Sequence, residues 1–253
     1  MATLIHPGSF VDPAAQLGVD VEIMAGAVVT KWARLGDHVV VHPGAVVGGD
    51  PQYLGFDRAT PSWVDVGKGT VLRENVTLNR SMYADQATTI GARGFFMAGS
   101  HAGHDCAVAA DVVLANNAML AGHVSVGANT FVGGGAGIHQ FVRIGAVVMV
   151  AGLARVTKDV PPYCMVAERD ELVGLNLVGL KRRGWPPEVM RELKAVYRAV
   201  MRPTGNLRTL AAELLPDIRC GEAQAFLRFF EGGKRPVARP SRARDNGGVD
   251  GDG

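Results

Sequence analysis

Four of the seven histidines, His101, His104, His123 and His139, fall within one short stretch, and an aspartate, Asp105, directly follows the second of them. An imidazole that titrates near neutrality can take a proton from a hydroxyl, and a carboxylate beside it fixes the tautomer and stabilises the imidazolium. Three neutral imidazoles can instead hold Zn²⁺ with a fourth position open. Cys106 adjoins the His104-Asp105 pair and raises a third possibility, a Cys–His nucleophile. The elements that position these side chains decide between the three.

Those elements are written in a repeat. Aliphatic residues recur at a spacing of six in three runs: Ile5 to Val47, Val66 to Leu78, and Ile90 to Val156. Four residues after most of them stands a small or β-branched residue, such as Ala27, Ala45, Ser100, Cys106, Ala118 and Thr130. A period of six matches neither the helix nor the alternating strand. It matches a hexapeptide β-helix, in which three short strands make a coil and each turns one large and one small residue inward. Cys106 then occupies an inward small slot and reads as a packing residue.

Three hexads make one coil, so residues eighteen apart stack about 4.8 Å from one another. Gly122 falls beneath His104, Gln140 beneath Gly122, and His123 beneath Asp105, while His139 lies one coil below Ala121. His101, His104, His123 and His139 thereby converge on one edge of successive coils, and positions 104 and 105 face outward. Gly122 leaves its backbone N–H unobstructed below His104, where it would suit an oxyanion. His6, His38 and His42 read as ordinary corner residues, two of them in His-Pro-Gly sequences.

The repeat is broken twice, at 48–65 and 79–89, where loops leave the coil; insertions at solenoid corners often line a binding face. Pro161 and Pro162 are expected to stop the last coil at 160, since proline cannot donate to a strand ladder. Apolar residues then take helical spacing over 171–184, 186–202, 206–217 and 221–232, a small α-helical subdomain spanning 161–232. The last stretch, 233–253, is rich in Gly, Pro and Arg without an apolar period and reads as a disordered tail.

Net charge is +2, and removing the five basic and three acidic residues after Glu231 leaves 21 of each sign, so nucleic-acid binding has no global electrostatic support. No run approaches the roughly 18 apolar residues of a membrane span, and the first residues lack the order of a signal peptide. Three cysteines without a CxxC pair give no disulfide framework. A cytoplasmic enzyme is the expectation.

Five segments, GSHAGHDCAV (99–108), LANNAMLAGHVSVG (114–127), GIHQFVRIG (137–145), KDVPPY (158–163) and GLNLVGLKRRG (174–184), together resemble the acyl-carrier-protein-dependent UDP-N-acetylglucosamine O-acyltransferases of lipid A biosynthesis. The resemblance covers roughly residues 1–232. It implies a mainly β fold, a left-handed parallel β-helix with a helical C-terminal subdomain, and a homotrimer with active sites between subunits. It implies no cofactor and no metal, with acyl carrier protein as donor and a UDP-sugar as acceptor. By motif, His104 matches the general base, Asp105 its orienting partner and Gly122 the oxyanion donor. His101, His123, His139 and Gln140 match residues around the sugar nucleotide, Gln52 a sugar contact in the first loop, and Asn176, Arg182 and Arg183 nucleotide contacts. Gly152 matches the position that limits acyl length; glycine there is similar to members taking long 3-hydroxyacyl chains. The acidic carrier protein is expected to dock near Lys181, Arg182 and Arg183 or on the helix of Arg191 and Lys194.

Departures from the family pattern leave alternatives open. Tyr53 and Gly55 stand where an aspartate and a lysine are common, Val178 replaces an acidic residue, and Glu168-Arg169-Asp170 replaces a segment that usually carries Gly-Asn and a histidine. A sugar-nucleotide N-acyltransferase, using a 3-amino sugar or an acyl-CoA donor, is one alternative. A zinc enzyme resembling the γ-class carbonic anhydrases is another, and a sugar-nucleotide-binding scaffold with reduced catalysis is a third.

Overall fold

The computed structural model describes residues 3–240 of the chain. Each hexad folds as a strand of two to four residues followed by a corner, and strands three apart in order pair in parallel to make three sheets of ten, eight and seven strands. The pairing offset is eighteen residues along uninterrupted coils, as in Met119 with Gly137 and Leu120 with Ile138. Inward positions carry the core: Ile23, Val41, Leu72, Phe96, Leu114, Leu120 and Val132 have no exposed surface, and neither do the small partners Ala27, Ala45 and Ala118. A column of such residues excludes water along the whole solenoid, each buried aliphatic side chain contributing about 1.5–3 kcal/mol. At the N-terminal end Leu4, Ile5 and Phe10 are exposed.

At one position of many corners the backbone enters the left-handed region: Asp105 at φ +59°, His123 at +61° and Phe141 at +64°, stacked in successive coils. There the chain turns sharply enough that adjacent residues project to the same side.

The two breaks of the repeat become loops at 50–62 and 80–86, between Val46–Gly49 and Trp63–Val66 and between Thr77–Asn79 and Ala87–Ile90. Arg80 anchors the first loop. Its side chain is fully buried, pairs with Asp50 at 3.0 Å and donates to the carbonyls of Arg58 and Thr60 and to Ser62 Oγ. Its guanidinium also lies over the rings of Trp32 and Phe56. Such a satisfied buried cation holds a loop firmly, since removing one partner of a buried pair costs about 3–5 kcal/mol.

Three readings change at the C-terminal end. The proline pair at 161–162 turns the chain without ending the sheet, because Cys164–Ala167 still pairs in parallel with Met149–Val150. Residues 171–175, expected to be helical, form the strand Glu171–Leu175, antiparallel to Cys164–Ala167. The free sheet edge captures this segment, and the helix begins only at Leu177, capped by Asn176. Helices Pro187–Met201, Leu207–Leu214 and Gly221–Arg228 then pack on one another through Leu193, Val200, Ala211 and Phe226. The third reading concerns the tail. Residues 233–240 were expected to be disordered, yet Val237 bridges to Asp159 and Arg239 to Glu171, with Ala238 fully buried. Backbone hydrogen bonds hold it there: the Asp159 N–H donates to Pro236 O, the Ala238 N–H to Asp159 O and the Leu172 N–H to Arg239 O. The remainder of the tail, 241–253, lies outside the described residues. Among the described residues no helix is long and apolar enough to cross a membrane.

Candidate active site

His104 and Asp105 occupy the corner after strand His101–Ala102. Because Asp105 adopts the left-handed conformation, its carboxylate folds back onto its neighbour: Oδ2 lies 2.7 Å from His104 Nδ1. The second loop holds that carboxylate from the other side, where Ser81 Oγ and the Met82 N–H donate to it, and Thr88 Oγ1 accepts from the Asp105 N–H. An ionised carboxylate only accepts, so Nδ1 of His104 carries the proton and Nε2 is left with a lone pair. A Cβ built on Gly122 would sit 2.5 Å from that Nε2, which places the free nitrogen directly over the glycine. The Gly122 N–H finds no acceptor among the described residues.

These groups open onto a groove of about 520 Å³ across the eight-stranded sheet. Gln52, His101, His104, Gly122, His139 and Gln140 all line it. His101 Nδ1 bonds to Thr77 Oγ1 at 2.7 Å, and burial, with His104 nearby, holds its pKa below the ordinary histidine value. His123 does not line the groove. It stands behind the pair, edge-on to His104 at 4.9 Å and stacked on Phe141 at 4.4 Å, with Nε2 3.8 Å from Asp105. Burial again lowers its pKa, with Asp105 opposing and His104 adding. A neutral ring there adds no positive charge beside His104.

Asn176, Arg182 and Arg183 are elsewhere. They line a second groove, of about 560 Å³, against the ten-stranded sheet, together with Val178. The Asn176 amide is engaged within the chain: it accepts from Gly179 N and donates to Val147 O. Arg183 donates to Asn129 Oδ1 at 2.7 Å. Gly152 sits exposed at a corner and lines neither groove; a Cβ there meets the Gly134 backbone, its O at 3.4 Å and its N at 3.9 Å.

Cys106 is buried, its Sγ 3.1 Å from Ala121 O, and burial pushes its pKa up to about 12. That removes the thiolate from consideration. Among the described residues, the donors close enough to share a metal are His104, Asp105 and His123, while His101 and His139 are not among them. His6, His38 and His42 pair with Glu22, Asp20 and Glu74, as corner residues.

Sequence reasoning missed Ser81, Met82 and Thr88, whose link to Asp105 exists only in three dimensions. It also missed Asn79, which lines the groove with its Oδ1 buried and unpartnered among the described residues.

Residues 159–238 match the family model described as UDP-N-acetylglucosamine O-acyltransferase, domain 2. An acyl-[acyl-carrier-protein]–UDP-N-acetylglucosamine O-acyltransferase of Agrobacterium fabrum is 34% identical over 93% of this chain and 89% of its own length. The protein of that name from Campylobacter concisus is 40% identical over 89% of this chain and 87% of its own. The chain belongs to this acyltransferase family.

Solved members superpose closely. The UDP-N-acetylglucosamine acyltransferase of Campylobacter jejuni, 35% identical, matches 94% of this chain and 99% of its own with a TM-score of 0.82. That of Bacteroides fragilis, 28% identical, covers 93% and 100% with a TM-score of 0.86. The fold is thus the left-handed parallel β-helix of the UDP-N-acetylglucosamine O-acyltransferases with C-terminal helices. The family match runs on to residue 238, in agreement with the ordered stretch that reaches Ala238. Within this member of the family, two of the departures are coupled. A Cβ at Gly55 would lie 3.0 Å from the Tyr53 ring, so the tyrosine occupies the space a side chain at 55 would need.

Proposed function

We propose that the chain transfers a 3-hydroxyacyl group from acyl carrier protein to the 3-hydroxyl of UDP-N-acetylglucosamine. The observation that carries this reading is the His104–Asp105 pair aimed over Gly122. In the proposed reaction Nε2 of His104 takes the hydroxyl proton as the oxygen attacks the thioester carbonyl. Asp105 keeps the tautomer and stabilises the imidazolium, and the Gly122 N–H donates to the oxyanion that develops. Collapse breaks the carbon–sulfur bond, and the imidazolium returns its proton to the departing sulfur. Gln52, His101, His139 and Gln140 line the groove as acceptor contacts.

The site takes parts from two copies of the chain. Support comes from the separation of Asn176, Arg182 and Arg183 into another groove, whereas His104 stands on a different sheet. A homotrimer, one groove meeting the other across each interface, accommodates both, with the enzyme acting in the cytoplasm. The carrier protein docks on the basic surface of Lys181, Arg182 and Arg183, or on the helix of Arg191 and Lys194. Gly152 leaves the acyl path open to long chains.

A product assay tests this reading: purified protein, UDP-N-acetylglucosamine and a ladder of 3-hydroxyacyl carrier proteins, read by mass spectrometry. A 3-O-ester is expected, and His104→Ala should lower kcat at least ~10²-fold with the fold intact. Tyr53, Gly55 and Val178 make the 3-amino sugar the comparison acceptor. An amide formed faster than the ester would reassign the acylated atom, and near-normal turnover by His104→Ala would remove the base.

A further inference from the structure

At the lower end of the groove four residues form a square on the outward face of the coil. Gly137 pairs with Arg155 across neighbouring strands. Two residues on, the His139 N–H bonds to Val156 O at 2.8 Å, which sets His139 beside Thr157. Side chains two apart on a strand share a face, and all four residues line the groove.

Arg235, from the ordered part of the tail, closes one side of the square. It donates from Nη1 to Thr157 O at 2.9 Å and from Nη2 to His139 Nδ1 at 3.0 Å. A guanidinium has no lone pair to offer, so toward Arg235 the Nδ1 atom accepts, and the same nitrogen lies 3.2 Å from Gln140 O. With Nδ1 engaged within the chain, Nε2 is the ring nitrogen left for a ligand. Arg155 forms the other side, and among the described residues its side chain has no hydrogen-bond or ion-pair partner. Between them the floor is empty: a Cβ added at Gly137 would meet nothing within 4 Å.

Among the described residues no Asp or Glu lines this groove. Of the nearby carboxylates, Asp159 is engaged by the backbone and guanidinium of Arg143, and Asp170 by the Thr157 N–H and hydroxyl and the Lys158 N–H. The Arg155 guanidinium and the His139 ring thus line the open space, and Arg235 adds a second cation bonded to His139 and Thr157. Charge-assisted hydrogen bonds to phosphate oxygens match that donor set.

We propose that Arg155 and the Arg235–His139 pair form an anion subsite that takes a phosphate ester of a substrate. Arg155 stands in the outward column His101, Met119, Gly137, Arg155, three strand spacings or about 14 Å from His101 along the sheet. The subsite therefore suits a phosphate several bonds from the reacting atoms. The inference rests on the proposed acyl transfer, whose two substrates each supply such a group: the diphosphate of the nucleotide sugar, and the phosphodiester of the donor's phosphopantetheine arm.

The test compares wild type with Arg155→Ala and Arg155→Lys; the side chain is exposed, so folding should be unaffected. KM is measured for the nucleotide sugar, for acyl carrier protein and for free acyl-phosphopantetheine. Arg155→Ala should raise one KM by about 10- to 100-fold with little change in kcat, and Arg155→Lys should restore part of it. A rise confined to the nucleotide sugar assigns the diphosphate. A rise for both donor forms assigns the phosphodiester. A rise with intact carrier protein alone means that Arg155 meets a protein surface, and overturns the subsite. Calorimetry with inorganic pyrophosphate gives a readout that needs no turnover, so a failed subsite and a failed reaction can be told apart. Arg155→Ala should weaken pyrophosphate binding at least ~10-fold relative to wild type. Absence of binding to wild type, or equal affinity in the variant, together with unchanged KM values, overturns the proposal.

Discussion

Gly122→Ala isolates the position of the base from every other part of the site. The added methyl carbon would lie 2.5 Å from His104 Nε2 and 2.6 Å from Cε1, whereas ordinary contact begins near 3.4 Å. The ring must therefore retreat by about 1 Å. Backbone strain does not contribute, because Gly122 is outside the left-handed region and alanine can adopt its conformation. The Gly122 N–H is also retained, so the oxyanion donor survives. What changes is His104, whose 2.7 Å bond to Asp105 has to stretch or break as the ring swings away. A displacement of about 1 Å at a reacting group can cost ~10²-fold in rate. The expected result is a kcat lowered ~10²-fold while the thermal midpoint moves little, since the ring yields into open groove. Steady-state kinetics and a melting curve on the same preparation measure both. Combining it with His104→Ala should add almost nothing, because both changes remove one function. Wild-type kcat in Gly122→Ala would refute the geometry, and an additive double variant would refute the shared role.

Other expectations follow from neighbouring contacts. Ser81→Ala removes a hydroxyl donor to Asp105 and should lower kcat about 3- to 10-fold without altering KM, and an unchanged kcat would show that the loop plays no part. His101 and His123 are both held below the usual histidine pKa by burial, so the unfolded chain binds protons more readily in acid. Stability present above pH ~6.5 should therefore be lost as pH falls through their folded values, and a His101→Gln/His123→Gln variant should show a flatter melting-temperature profile. An equally steep profile in that variant would place the acid sensitivity elsewhere. Gly152→Met should shift preference toward shorter acyl donors, each excluded methylene forfeiting roughly 0.8 kcal/mol, and uniform loss on all lengths would move the ruler off this position. Mixing His104→Ala with Arg183→Ala subunits should recover activity absent from either alone if one site uses both grooves, and a monomer by light scattering would exclude that.

The hexad spacing was enough to place much of the site, because an eighteen-residue coil makes neighbours of residues eighteen apart. Gly122 under His104 and His123 under Asp105 could be read from position number, and the structure has both. Cys106 could likewise be assigned to the core from its slot in the repeat. Local sequence carried the helices Pro187–Met201, Leu207–Leu214 and Gly221–Arg228 as well, through their apolar spacing. Contacts that depend on a corner's dihedral or on an unpaired edge were beyond it. Asp105 turns toward His104 because its backbone sits at φ +59°, a choice made by the corner as a whole. Ser81 and Met82 reach that carboxylate only because the second loop folds back over the coil. Glu171–Leu175 and residues 237–239 join the ladder at the edge of the last coil, and their own propensities do not announce it. Repetition determines which residues are stacked, since each coil copies the one before it. Where repetition stops, at loops, corners and the end of the solenoid, long-range hydrogen bonding decides the structure, and only the folded chain shows which partners meet.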